Sequence, residues 1–261
     1  MKKVISAAML LSSLVMAKES DNNLVSHAEL GYVNTQGTST TTAVSLDAKA
    51  KKGWNQHVFE LMLDGQYSTN KNVENKNKYY TEFSYDYDVT DTFSFGYLVG
   101  YKEDKFSSFD YQFYTGPSAK HKLFKTEEHK LTMEGNILYA KDKRADVNFD
   151  ALGNEIPYPN AGGIAIIGTD IGGTRAYASY RAKALYERNI VENLKFTEEL
   201  SYRSEFFDVS NFFIYSKTAF TNKITDILSA GVSYKIDYVN LPTRDTQRGD
   251  RTFTANLIMD F

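Results

Sequence analysis

The chain has 261 residues, with 30 lysines and arginines against 33 aspartates and glutamates, a formal net charge of −3 and no cysteine. Lack of thiols excludes disulfide frameworks, thiolate metal sites and cysteine nucleophiles, and without a basic, aromatic-interleaved stretch the charge offers nucleic acid no general attraction. Aromatic residues make up 14%, a composition that suits a wall carrying aromatic girdles at two membrane surfaces.

Met1-Lys2-Lys3 is a short basic start, residues 4–15 are apolar apart from serines, and Val15-Met16-Ala17 presents what a signal peptidase reads. Residues 1–17 therefore read as a signal peptide, with the mature chain, 18–261, beginning at Lys18. Beyond it no run approaches the roughly 18 apolar residues of a spanning helix, so membrane crossing falls to strands. No Pro-rich or Ser-rich linker divides the remainder, which reads as one closed domain.

Alternation of apolar and polar side chains predicts twelve strands of about 9 to 11 residues or somewhat more, the length that tilted transmembrane strands need. In chain order they cover residues 24–35, 38–50, 55–68, 78–89, 92–101, 109–117, 130–139, 174–186, 194–206, 212–221, 228–238 and 251–261. The fourth sets Tyr79, Thr81, Phe83, Tyr85, Tyr87 and Val89 on one face and Glu82, Ser84, Asp86 and Asp88 on the other, one suited to lipid and one to water. The fifth repeats this, with Phe93, Phe95, Tyr97, Val99 and Tyr101 outward and Ser94, Gly96 and Gly100 inward. In the sixth, Phe109, Tyr111 and Phe113 share a face. The ninth places Glu198 on its apolar face, a weak point in the register, and the tenth carries aromatic residues in both registers. The twelfth ends the chain on Phe253, Ala255, Leu257, Met259 and Phe261, and an apolar face closed by a terminal aromatic is what an outer-membrane barrel presents to lipid; Phe253, Leu257, Met259 and Phe261 are the expected assembly signal.

Twelve is an even number, so both termini share one side, where connections are short. Connections around Lys52-Gly53, Thr90-Asp91, 188–193 and 222–226 are compact and belong to the periplasm, with 120–129 longer than expected there. Connections 69–77, 102–108, 142–173 and 240–250 belong outside. The expected fold is an all-β, transmembrane, antiparallel up-and-down β-barrel of about twelve strands in the Gram-negative outer membrane.

Glu29-Leu30-Gly31-Tyr32-Val33-Asn34-Thr35-Gln36-Gly37-Thr38, Trp54, Tyr101-Lys102-Glu103-Asp104-Lys105-Phe106 and Gly116-Pro117 resemble the domain of unknown function 481 family, known as salt-induced outer-membrane proteins. The resemblance covers nearly the whole mature chain and departs from the family at Thr38, where Asn is usual. It implies an outer-membrane barrel with no established activity, and it transfers no catalytic residue.

Thirteen charged residues are expected to line the lumen: Glu60, Asp64, Glu82, Asp86, Glu134, Arg181, Lys183, Glu187, Glu199, Arg203, Glu205, Lys235 and Asp237. Basic residues of the eighth and ninth strands facing acidic residues of the third and fourth give a pore with a transverse field; the alternative is a lumen filled by its own ion pairs. Acyl hydrolysis by a lipid-modifying enzyme needs a base within reach of a nucleophile. None of His27, His57, His121 and His129 falls at the outer rim, and no Gly-x-Ser-x-Gly elbow is present. Asp146-Val147-Asn148-Phe149-Asp150 imitates the start of a calcium loop, but Ala151 and Pro157 replace its glycine and its bidentate Glu. The glycines at 162, 163, 168, 172 and 173 read as a mobile loop, with the apolar run 164–167 forming a hairpin above strands seven and eight or a lid over the mouth. The expected protein is a monomer without cofactor, a narrow channel for small polar solutes or an envelope component. Its partners would be outer-membrane lipid and, during biogenesis, the barrel-assembly machinery. A soluble periplasmic β protein is the remaining alternative.

Overall fold

The computed structural model describes residues 24–35, 41–156, 160, 162–242 and 247–260; the expected signal peptide, Gly37-Thr38, Pro157 and Phe261 lie outside the described residues. The strands are β1 (Leu24–Thr35), β2 (Thr41–Trp54), β3 (His57–Asn70), β4 (Val73–Asp88), β5 (Phe93–Asp104), β6 (Phe109–Lys125), β7 (His129–Arg144), β8 (Val147–Phe149), β9 (Gly168–Asp170), β10 (Thr174–Val191), β11 (Leu194–Glu205), β12 (Phe212–Lys223), β13 (Leu228–Val239) and β14 (Gly249–Asp260). All but β8 and β9 form one closed barrel in chain order. Each wall pair is antiparallel, and β1 meets β14 from His27↔Asp260 to Gly31↔Asn256 to close the cylinder. The fold is thus the twelve-stranded up-and-down barrel that the alternation predicts, with no free side edge once the last pair is made.

Several boundaries differ from the sequence reading, because strands run past the apolar band. The second connection turns at Asn55-Gln56, with Asn55 at φ 54°, and Lys52 and Gly53 are in β2. The expected outer loop 69–77 is a hairpin: Lys71 and Asn72 both have positive φ, 48° and 63°, as a type I′ turn requires. The sixth connection is not long, since β6 continues to Lys125 and Thr126 receives and returns hydrogen bonds with His129. In β6 a register shift between Phe109 and Tyr111 separates two residues that strict alternation puts on one face. Such a bulge re-aims side chains; Phe109 is 6% exposed and packs on Phe213. Within the 142–173 connection β8 and β9 pair as a small antiparallel ladder, Val147↔Asp170 to Phe149↔Gly168, while Ile164, Ile166 and Ile167 stay exposed.

The wall is apolar outside and polar inside. Along β5, Phe95, Tyr97 and Val99 are exposed, while Ser94, just before them, and Leu98, between Tyr97 and Val99, are buried. Along β14, Phe253, Leu257 and Met259 are exposed and Asn256 and Ile258 are buried. Glu198 is held where alternation places it, accepting hydrogen bonds from Thr218 (2.5 Å) and Ser216 (3.0 Å) on β12. The two registers of aromatics in β12 also separate, since Phe213 and Tyr215 line the interior. Gly116 allows β6 to approach β7: a Cβ there would lie 2.0 Å from the Ile137 carbonyl oxygen. The next residue, Pro117, has no N–H to give to the ladder.

Candidate functional site: the ion-paired bore

Contacts between strands that are not wall neighbours must cross the interior. Arg181 on β10 reaches Glu82 on β4, Nη1 to Oε2 2.6 Å, and binds Glu134 of adjacent β7 at 2.8 Å and the Asn136 amide oxygen at 2.9 Å. The phenols of Tyr80 and Tyr114 donate to the same Glu82 oxygen at 2.5 and 3.0 Å. Lys120 on β6 adds Asp86 at 2.6 Å and Glu134 at 3.7 Å. With Arg181 only 6% exposed, this cluster is stable only because every charge has a counter-charge and hydrogen bonds, as removal of ions from water demands.

The opposite side is built from lysines of β12 and β13 and carboxylates of β1 to β3. Lys217 binds Glu29 (2.9 Å) and Asp47 (2.8 Å); Lys235 binds Asp47 (3.2 Å) and, in a shorter contact, Asp64. Towards the outer loops Lys78 joins Asp237 and Asp250, each at 2.8 Å, and Lys102 joins Asp237 at 2.9 Å. Nearer the compact turns Lys49 binds Glu60 at 3.0 Å and Lys195 pairs with Glu187. Lys183 pairs with Glu199 on β11 at 2.7 Å, and Arg175 with Glu205 at 2.6 Å.

Arg203 differs from these. Its guanidinium packs on Tyr114 and Phe213, 5.1 and 4.4 Å from the ring centroids, and its nearest carboxylate, Asp142, is 3.9 Å away. Its Nη1 is buried without a hydrogen-bond partner, as is Asp142 Oδ1; the other Asp142 oxygen accepts from Tyr177 at 2.5 Å and Gln112 at 3.2 Å.

All thirteen charged positions singled out from the sequence therefore take part in ion pairs, but not as two opposed walls. Of the basic residues on β10 and β11, Arg181 crosses to β4, whereas Lys183 and Arg203 meet carboxylates of nearby strands. Sequence reasoning missed Glu29, Asp47, Lys49, Lys78, Lys102, Lys120, Asp142 and Lys217. Lys78 is the first residue of the expected fourth strand and has the parity of Glu82 and Asp86, so the alternation already turned it inward; Lys217 was hidden by aromatics in both registers.

The ion pairs leave an interior cavity of about 380 Å³. Its lining runs from His27, Lys195 and Asp260, near the compact turns, to Lys102, Gln112 and Val239, near the outer loops. Both ring nitrogens of His27 face carboxylates, Asp260 at 2.6 Å and Glu29 at 3.0 Å, and His57 and His129 each meet a tyrosine hydroxyl. In the outer loop the Asp150 carboxylate is occupied by Leu152 N–H, Asn154 N–H and the Asn154 side chain. The Asn154 side-chain hydrogen bond, foremost, holds it below the usual carboxylate range. Among the described residues no cluster of three or more histidine or acidic ligands is placed to hold a metal ion.

Among solved structures the chain is similar to the NanC porin, at 12% identity over 91% of this chain and 97% of that chain with a TM-score of 0.43. It is similar to the translocator domain of autotransporter NalP from Neisseria meningitidis, at 10% identity over 100% and 97% with a TM-score of 0.49. It is also similar to the KdgM porin, at 9% identity over 91% and 98% with a TM-score of 0.44. No curated protein matches the chain in sequence. The sequence profile of the family described as "Protein of unknown function, DUF481" matches residues 28–261.

Proposed function

The chain belongs to the DUF481 family of proteins of unknown function, and from that premise we propose that it is a monomeric barrel of the Gram-negative outer membrane acting as a narrow, passive channel for small polar solutes. The observation that carries the reading is the cavity whose lining extends from the compact-turn end to the outer-loop end of a barrel with its polar residues inside. A closed barrel satisfies its backbone hydrogen bonds within the wall, which lets it cross hydrocarbon. The exposed apolar belt, including Phe83, Phe95, Ile137 and Leu257, supplies the lipid-facing surface. The thirteen charged residues then act as channel lining, and Phe253, Leu257, Met259 and Phe261 as the signal read during assembly. The partners of this reading are outer-membrane lipid, the assembly machinery and the solute; no cofactor enters.

Conduction tests it. Protein refolded into detergent and added to a planar lipid bilayer in potassium chloride should give discrete current steps, small because ion pairs narrow the bore. Repeated insertion without steps, with fatty acid released from the bilayer lipid, would replace the channel by a lipid-modifying enzyme.

A further inference from the structure

We infer that the passage prefers small anions over cations, and that Arg203 sets this preference; the inference rests on the channel reading. The cavity is lined by nine lysines and arginines against seven aspartates and glutamates, although the whole chain carries a net −3. The reversal comes from which partner of each pair borders the cavity. Glu60, Glu82, Glu134 and Asp142, which pair with the lining residues Lys49, Arg181 and Arg203, are not themselves part of the lining. The lining therefore carries a surplus of two cations over carboxylates. Charges on the outer loops lie beyond water and salt that screen over about 8–10 Å, whereas those of the lining act within a few ångströms and through low-dielectric walls that concentrate their field.

Within this lining Arg203 is the least neutralised. It stands directly across from Arg181 in the β10–β11 register, a like-charge juxtaposition that neighbouring strands ordinarily avoid. Arg181 is neutralised by Glu82 and Glu134, while Arg203 has one carboxylate at 3.9 Å and a buried Nη1 without a hydrogen-bond partner. Its side chain is 8% exposed and stays ionised between two aromatic rings. A guanidinium that borders the bore near the outer mouth with its nearest carboxylate 3.9 Å away favours a passing anion and repels a cation through its charge, as rings of basic side chains do in anion pores.

The test is the reversal potential of the refolded protein in a planar bilayer under a tenfold potassium chloride gradient. The wild type should show chloride permeability above that of potassium. Arg203→Gln should lower that ratio at least twofold, and Arg203→Lys, which keeps the charge, should preserve it; heat-modifiable gel mobility confirms that each variant is a barrel. A conducting wild type with potassium preference or no preference, or a ratio unchanged in Arg203→Gln, overturns this inference and leaves the channel. A folded barrel that never conducts overturns the channel reading and this inference with it.

Discussion

At the scale of single residues, the side chain on which most of the interior depends is Arg181. It supplies the cation for Glu82 from across the bore and also binds Glu134 and Asn136. Removing one partner of a buried pair is expensive because the other charge is left behind, about 3–5 kcal/mol, whereas replacing the whole group with apolar side chains is often neutral. Arg181→Met should therefore lower the free energy of unfolding by urea in detergent by that amount, with a lower midpoint, and adding Glu82→Leu and Glu134→Leu should restore much of it. An unchanged midpoint for the single variant would show that these contacts do not hold the wall. The lipid-facing side gives a second residue-level test. Ile137 is 63% exposed on the apolar belt; a lysine there is harmless in water but costs about 2–4 kcal/mol near a bilayer midplane. Ile137→Lys should accordingly reduce stability in liposomes, and a stability equal to wild type would argue for an aqueous outer surface.

At the scale of elements, Gly116 and the terminal strand are the two places where one change should disturb a whole strand pair. Gly116→Val puts a side chain into the Ile137 carbonyl, so β6 and β7 should separate and the fraction of heat-modifiable barrel should fall; full recovery would mean the strands can shift without cost. Deleting Phe261 should reduce outer-membrane yield, and unchanged yield with unchanged surface proteolysis would contradict its part in assembly. The strands themselves were legible in the sequence because a period of two is imposed wherever one face meets an apolar and the other a polar surface; β4, β5 and β13 show it almost without exception. Their ends were not legible, since beyond the apolar band both faces are polar and the alternation disappears. That is why β6 continues to Lys125 and why the loop expected at 69–77 is a hairpin turning at Lys71-Asn72. The inward parity of Glu82 or Lys235 could be read locally. That Lys235 meets Asp47 and Asp64 could not, because the match depends on how far the register climbs around the closed wall.

At the scale of the whole molecule, the barrel has one organising asymmetry: polar residues turned inward around a narrow bore and aromatic and aliphatic residues turned outward. In water this arrangement would leave a belt far larger than the few hundred square ångströms of contiguous apolar surface that soluble monomers tolerate. In a bilayer the same belt is the favourable surface, and the closed hydrogen-bonded wall leaves no backbone edge to the hydrocarbon. Gel mobility of the mature chain, diluted from urea either into plain buffer or into lipid vesicles and run unheated beside a boiled sample, tests this most directly. The account predicts a compact, faster-migrating form only with vesicles and aggregation without them; a compact, monodisperse form in plain buffer would contradict it.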